Sequence, residues 1–280
     1  MTDSKTIPID VRHLFKTLDE MLLDLLQTLS EEDWGRKTVA VKWTVKDVVS
    51  HLLDGNLKTL SMQRDQFFGE KPVGVHDYQE LVNWLNRLNA DWVKATHRIS
   101  PGVLIDLHRA TGPVVSDYYA SLDPWKQAVF SVDWAGESKS YNWMHVAREY
   151  TEKWHHQQQI REATNHEGIM TKEFFHPAIS TFFYALPYTF RRIEAAIGTI
   201  VNVKIKGEGG GDWFLLKEED QWRLIEEVRE EATTEVEIPA GISWKLFSKS
   251  LRPADVSSVV KISGNQELGQ HVLGMVSVMA

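Results

Sequence analysis

The run Met144-His145-Val146-Ala147-Arg148-Glu149-Tyr150-Thr151-Glu152-Lys153-Trp154-His155-His156-Gln157-Gln158-Gln159-Ile160-Arg161 holds the densest set of reactive side chains in the sequence. Wound as a helix at about 100° per residue, it places His145, Glu149, Glu152, His156, Gln159 and Ala163 within about 80° of one another. One stripe then carries two imidazoles, two carboxylates and an amide. Glu152 and His156 are four residues apart, so their heads meet on the same face one turn apart. One helix needs this spacing to give two ligands to one metal ion, as in the i, i+4 histidines of zinc proteases. A third ligand must come from another helix. His145 with Glu149 has the same geometry, and the helix wheel does not choose between the pairs. His155 points roughly 100° away from His156, so the doublet is not two ligands. The plain alternative is a solvated charged face, its ion pairs worth roughly a few tenths of a kcal/mol each. On this segment alone, that alternative is the default.

Composition narrows the chemistry. The 280 residues include no cysteine, which excludes disulfides, Cys-ligated zinc, iron–sulfur clusters and a cysteine nucleophile. Any metal must be held by histidine and carboxylate, and any reacting sulfur must come from outside the chain. With 31 basic against 39 acidic residues the net charge is -8, and no basic stripe marks a nucleic-acid surface. The glycine run Gly207–Gly211 lacks the Gly-Lys-Ser/Thr of a phosphate loop and reads as a hairpin turn. No Gly-x-Ser-x-Gly elbow supports a serine hydrolase. The polar N-terminal stretch has no apolar targeting segment, and no stretch approaches membrane-spanning length. A soluble, cytoplasmic protein is expected, with small-molecule partners, as a monomer or homodimer.

The elements that must position these residues follow from periodicity. Apolar residues from Val11 to Leu29 step at three and four, which predicts an amphipathic helix. Thr44-Val45-Lys46-Asp47 is a capping-box start, and its helix is expected to run to Phe68, stopping at Gly69 and Pro72. Further helices are expected over 81–95, 103–122 (with a potential break at Gly112-Pro113), 142–163 and 172–196, the last kinked at Pro187. Segment 133–140 reads as a loop. After Gly198 the pattern alternates. Strands are expected at 200–205, 213–216, 222–225 and 234–238, forming a small meander, with another at 259–262. Short helices are expected after Pro239 and over 268–279. The fold class is mainly α with a C-terminal α+β domain: a helical bundle over 1–197 and a small sheet-plus-helices domain over 198–280.

His51 is the best partner for the helix-borne pair. Periodicity does not favour it, because it lies off the Val45/Val49/Leu52 stripe towards Asp47 and Asp54 and reads as a surface histidine. Its context says more. The segment Lys42-Trp43-Thr44-Val45-Lys46-Asp47-Val48-Val49-Ser50-His51-Leu52-Leu53 resembles the N-terminal signature of the mycothiol-dependent maleylpyruvate isomerase family, part of the DinB-like superfamily. Glu152 to Ile160 is similar to that family's second signature, a His or Glu followed at i+4 by the second histidine of a doublet, then Gln-Ile. Ile262 to Gly269, with Val272-Leu273 and Met279-Ala280, is similar to the tail of its smaller domain.

The resemblance implies a DinB-like four-helix bundle holding one divalent metal, with His51, Glu152 and His156 as ligands. Two histidines and a glutamate with an open fourth position form the pattern of catalytic zinc; nickel and iron are the other options. Gln159 and His145, one turn to either side, are candidates to orient the ligands or touch substrate. The resemblance further implies a low-molecular-weight thiol cofactor, held as thiolate. In an isomerase that thiolate would add to a cis double bond, permit rotation and leave. In a related transferase it would attack an electrophile. Lys249 and Arg252 are candidates for holding a substrate carboxylate, although helix C-terminal cations need no such role. Two other readings stand beside the enzyme. One is a non-catalytic metal-stabilised ligand-binding or regulatory module, closed by a fourth ligand such as Glu149 or His145. The other is a metal-assisted hydrolase with Glu149 as base.

Overall fold

The leucine-rich periodic segment forms helix α1 (Leu14–Thr28), burying Leu14, Phe15, Leu18, Leu22, Leu25 and Leu26 on one face. The structure is a computed structural model that describes residues 6–228 and 230–278. Helix α2 (Glu31–Gly35) starts at a Ser30/Asp33 capping box. Helix α3 (Val45–Lys58) starts at Thr44, whose amide donates to Asp47 at 2.9 Å while its hydroxyl accepts from the Asp47 amide at 3.3 Å. The helix does not reach Phe68. It widens into a π-helix over Thr59–Arg64, and Gln66 then takes a left-handed φ of 57°. Ser61 and Phe67 bond to each other through both hydroxyl and backbone, which closes the turn early.

Helix α4 (Tyr78–Thr96) is capped by Asp77. Helix α5 (Pro101–Ser121) is capped by Ser100 and passes unbroken through Pro113. Pro113 is exposed, as is Arg109, so the carbonyl that loses its helical partner lies on the wet side. A 3-10 turn over Asp133–Ala135 lies in the expected loop. Helix α6 (Asn142–Ala163) follows. The helix expected over 172–196 is instead three pieces: α7 (Phe175–Phe182), a 3-10 turn (Phe183–Ala185) and α8 (Leu186–Phe190). Pro187 has no N–H to give the Phe183 carbonyl, so the break falls before it, and it sits in the first turn of α8 where that N–H is not needed. The chain then leaves the helix, and the Ile193 carbonyl accepts the Trp222 indole N–H at 2.9 Å.

The strands are β1 (Ile200–Lys206), β2 (Gly211–Lys217), β3 (Trp222–Ile225), β4 (Thr234–Pro239) and β5 (Lys261–Gly264). They are not a simple meander. The order is β3-β2-β1-β4-β5, with β4 parallel to β1. β1 and β2 pair antiparallel through the expected glycine hairpin. There Gly209 has φ of 74°, and a Cβ on it would lie 2.6 Å from the Thr171 carbonyl oxygen. Putting β1 at the centre explains its nearly continuous burial, where an edge or one-faced strand would alternate. Helices α9 (Ala240–Phe247), α10 (Pro253–Val256) and α11 (Gln266–Val272) complete the C-terminal part. The helix expected over 268–279 ends at Val272, and Met279-Ala280 lie outside the described residues. Among the described residues no helix is long and apolar enough to cross a membrane.

The change from helix to strand comes at Ile200. Packing divides the chain into two compact units: Met1–Val129 with Glu152–Glu167, and Phe130–Thr151 with Gly168–Ala280. The core of the first joins Leu22, Leu25 and Leu26 of α1 to Val45, Val48, Val49, Leu52 and Leu53 of α3, Leu104 of α5 and Ile160 of α6. Polar anchors fix α6 against α1. Lys153 meets Asp19 at 2.6 Å, and Arg161 donates to the Met21 carbonyl at 3.1 Å. Gln157, its amide oriented by its neighbours, donates to the Leu18 carbonyl and accepts from the Leu22 amide. Removing one partner of a largely buried ion pair strands the other charge. Asp19→Ala should therefore lower unfolding free energy by about 3 kcal/mol, read from urea denaturation; a loss under about 1 kcal/mol would show the pair to be surface-like.

Candidate metal centre

Helix α3 brings His51 and helix α6 brings Glu152 and His156 to one point, with one ligand atom from each lying within 4.8 Å of the others. His156 Nε2 is 3.4 Å from Glu152 Oε2. The His51 and His156 rings meet edge-on at 4.6 Å between centroids. Trp43, just before the α3 cap, lies 4.8 Å from the His51 ring and 6.2 Å from that of His156. His51 is therefore not a surface histidine. Helix α3 buries Val45, Asp47, Val48, Val49, Ser50, Leu52, Leu53, Asp54 and Asn56, most of its circumference. A one-stripe reading fails for a helix packed on so many sides.

The surroundings shift two of the three groups. Burial, helped by the charge of His156, lowers the His51 imidazole to about 3. Burial alone would raise the Glu152 carboxyl, but the hydrogen bond and charge of His156 and the charge of His51 outweigh it and hold the group at about 2. His156 Nδ1 lies 2.9 Å from Gln159 Oε1, and Gln159 Nε2 lies 3.2 Å from His155 Nε2. Glu152 keeps 35% of its side chain exposed, so the cluster opens towards solvent on its side.

Residues 15–161 match the mycothiol maleylpyruvate isomerase N-terminal domain family. The chain belongs to this family. Two solved structures share its fold over 90% of this chain and 91% of their own. One is the mycothiol-dependent maleylpyruvate isomerase, at 10% identity and a TM-score of 0.53. The other is a histidine-to-alanine mutant of that name, at 9% identity and a TM-score of 0.54. Among curated proteins no relative matches the sequence.

The geometry of this maleylpyruvate isomerase family member suits a metal. Two bonds of about 2.0–2.1 Å at a tetrahedral angle put ligand atoms about 3.3 Å apart, and His156 and Glu152 stand at 3.4 Å. His51 Nδ1 is buried without a hydrogen-bond partner, a deficit that calls for an explanation such as an ion. The donors are nitrogen and oxygen, which zinc, nickel and iron all accept. The residues fit a divalent ion.

The other candidates lie elsewhere. Among the described residues no second group of three potential ligands forms. His145 is buried, with Nδ1 4.0 Å from Glu149 Oε1, and Arg148 bonds to both side chains. Burial and the Arg148 charge lower the His145 imidazole well below its usual value. The pair that the helix wheel does not separate from Glu152/His156 is thus an arginine-linked cluster. Arg252 takes part in the α10 cap, its amide donating to Asp255 at 2.8 Å. The residue that periodicity undervalues is His155. On the wheel it points away from His156, yet it reaches Gln159 one turn along.

Buried neutral histidines set a pH limit. Burial holds His51 and His155 at about 3 and His108, which donates to the Val49 carbonyl at 2.9 Å, at about 4. Unfolded histidines protonate near pH 6.5. Above that pH both states are neutral; below it the unfolded state binds protons that the folded state refuses, so stability falls. In metal-free protein, unfolding free energy should decline from about pH 6.5 to 4, each such histidine adding up to about 1.4 kcal/mol per pH unit. Denaturation at stepped pH checks this, and His108→Phe should flatten the slope. An unchanged slope would mean that His108 titrates normally.

Proposed function

We propose that this chain is a metal-dependent enzyme that uses a low-molecular-weight thiol, as an isomerase or a thiol transferase. The observation that carries the reading is the convergence of His51, Glu152 and His156 from two helices, with no fourth potential protein ligand joining them among the described residues. A site meant only for structure is closed by four ligands, whereas a catalytic one keeps a position open. A bound divalent ion, zinc first, would hold a thiol sulfur as thiolate near neutral pH.

The chain's own residues do the rest. His51, Glu152 and His156 would hold the ion. Gln159 orients His156, and Trp43 walls one side with an apolar face. The cysteine-free sequence supplies no competing thiolate. The relatives' names couple mycothiol with maleylpyruvate, so that pair is the first to try, in a cytoplasmic, small-molecule setting. A hydrolase has less support, because Glu149, the base it would need, is hydrogen-bonded to Arg148.

Purified protein should carry about one divalent ion per chain, measured by elemental analysis. His51→Ala should remove most of it and abolish thiol-dependent isomerisation of maleylpyruvate. A wild-type protein that binds no divalent ion, or a His51→Ala variant with full metal content, would overturn the reading.

A further inference from the structure

We propose that Arg148 is an anion receptor, its guanidinium aimed by His145 and Glu149 to take a carboxylate of the small molecule that the chain binds. The inference deepens the proposed function by naming the ligand's charged group, and it rests on that reading only for what the ligand is.

Arg148 is not placed as an ordinary helix-surface ion pair. Adjacent residues on a helix point about 100° apart and do not face each other. Arg148 nonetheless bends across α6 to meet Glu149, and its Nη2 also lies 3.2 Å from His145 Nδ1. A guanidinium only donates, so His145 Nδ1 is the acceptor and carries no proton. His145 is buried, and burial with the Arg148 charge lowers its imidazole well below the usual value, which keeps it a neutral acceptor. Nη2 is thus held from two sides. Nε is buried without a hydrogen-bond partner, and only 16% of the side chain is exposed. Nη1 differs from both, because among the described residues it has no partner and is not enclosed. One nitrogen is clamped, one is shut in, and one is presented to solvent. A preset N–H donor on a largely desolvated guanidinium matches a carboxylate, with which it makes a strong charge-assisted bond. Helix α6 carries Arg148 one turn before Glu152. Glu149 offsets part of the charge, which keeps a bound anion exchangeable.

The test is calorimetric titration without thiol, with maleate as the probe and neutral dimethyl maleate as its uncharged control. Wild-type protein should bind maleate and not the ester. Arg148→Gln should weaken maleate binding about 10- to 100-fold, the loss of one hydrogen bond to a charged group, with metal content unchanged. A metal ion also attracts carboxylates, so the titration is repeated in His51→Ala, where the dependence on Arg148 should persist. A dependence that vanishes there would place the anion on the ion and overturn the receptor. Glu149→Gln keeps an oxygen to accept from Nη2 and removes the competing charge, so it should tighten maleate binding at least about 3-fold. If Arg148→Gln fails to fold by circular dichroism, Glu149→Gln decides alone, and unchanged or weaker affinity would overturn the proposal. Equal maleate affinity in wild type and Arg148→Gln would reduce Arg148 to a link between His145 and Glu149. Ester binding as tight as maleate binding would do the same. A protein that holds no divalent ion yet binds maleate through Arg148 would sink the proposed function alone. A metal-loaded protein indifferent to Arg148→Gln would sink the receptor alone.

Discussion

Helix α6 is buried yet polar on several faces, and the first unit is built around that conflict. Over one stretch it buries His155, His156, Gln157, Gln159 and Arg161. Each is tolerable only if it is paired. The pairing splits by face. Lys153, Gln157 and Arg161, at steps of four, lock onto α1, through Asp19 and the backbone of Leu18, Leu22 and Met21. Glu152, His156 and Gln159 then face another way, towards His51 and Trp43. The α1 contacts fix the rotation of α6 about its axis, and that rotation aims the Glu152–His156 pair. The stripe that touches no ligand thus does as much for the site's geometry as the stripe that does.

The same division governs what is legible in the sequence. The Glu152/His156 spacing is local, so a helix wheel finds it. The choice between that pair and His145/Glu149 is not local, because it depends on what another part of the fold presents. His145 and Glu149 meet Arg148 from their own helix, whereas Glu152 and His156 meet His51 from about a hundred residues away in sequence. Periodicity misjudges His51 itself. Apolar spacing assumes one wet face, and α3 has little of one. Only the resemblance of its flanking segment singles His51 out.

Local and distant causes separate in the fold as well. Helix starts are readable where a cap is written in neighbouring residues, as at Thr44 with Asp47. Helix ends are less so. The turn at 59–67 depends on a Ser61–Phe67 closure that no propensity signals. Pro113 and Pro187 look alike as breakers, yet one is absorbed and the other is preceded by a 3-10 turn. The difference is where the orphaned carbonyl points: beside Pro113 the helix surface is wet, and near Pro187 Phe183 and Leu186 are fully buried. The sheet misleads in order rather than in content. The strands fall where alternation puts them, but β4 crosses to the far side of β1, and period-two patterning carries no information about strand neighbours.

Charge explains why a neutral amide suits position 159. Under the proposed ligand set, two neutral imidazoles, one carboxylate and a divalent ion sum to one net positive charge, and a fourth ligand that is an anion brings the centre to zero. A carboxylate at 159 would orient His156 equally well but would cancel that charge before any thiolate arrived. Lys58, whose charge reaches His51, does not supply a replacement, because Asp54 balances it at 2.5 Å. A glutamine can hydrogen-bond His156 without adding charge. A neutral amide beside His156 thus leaves the proposed centre the positive charge that an anionic sulfur requires.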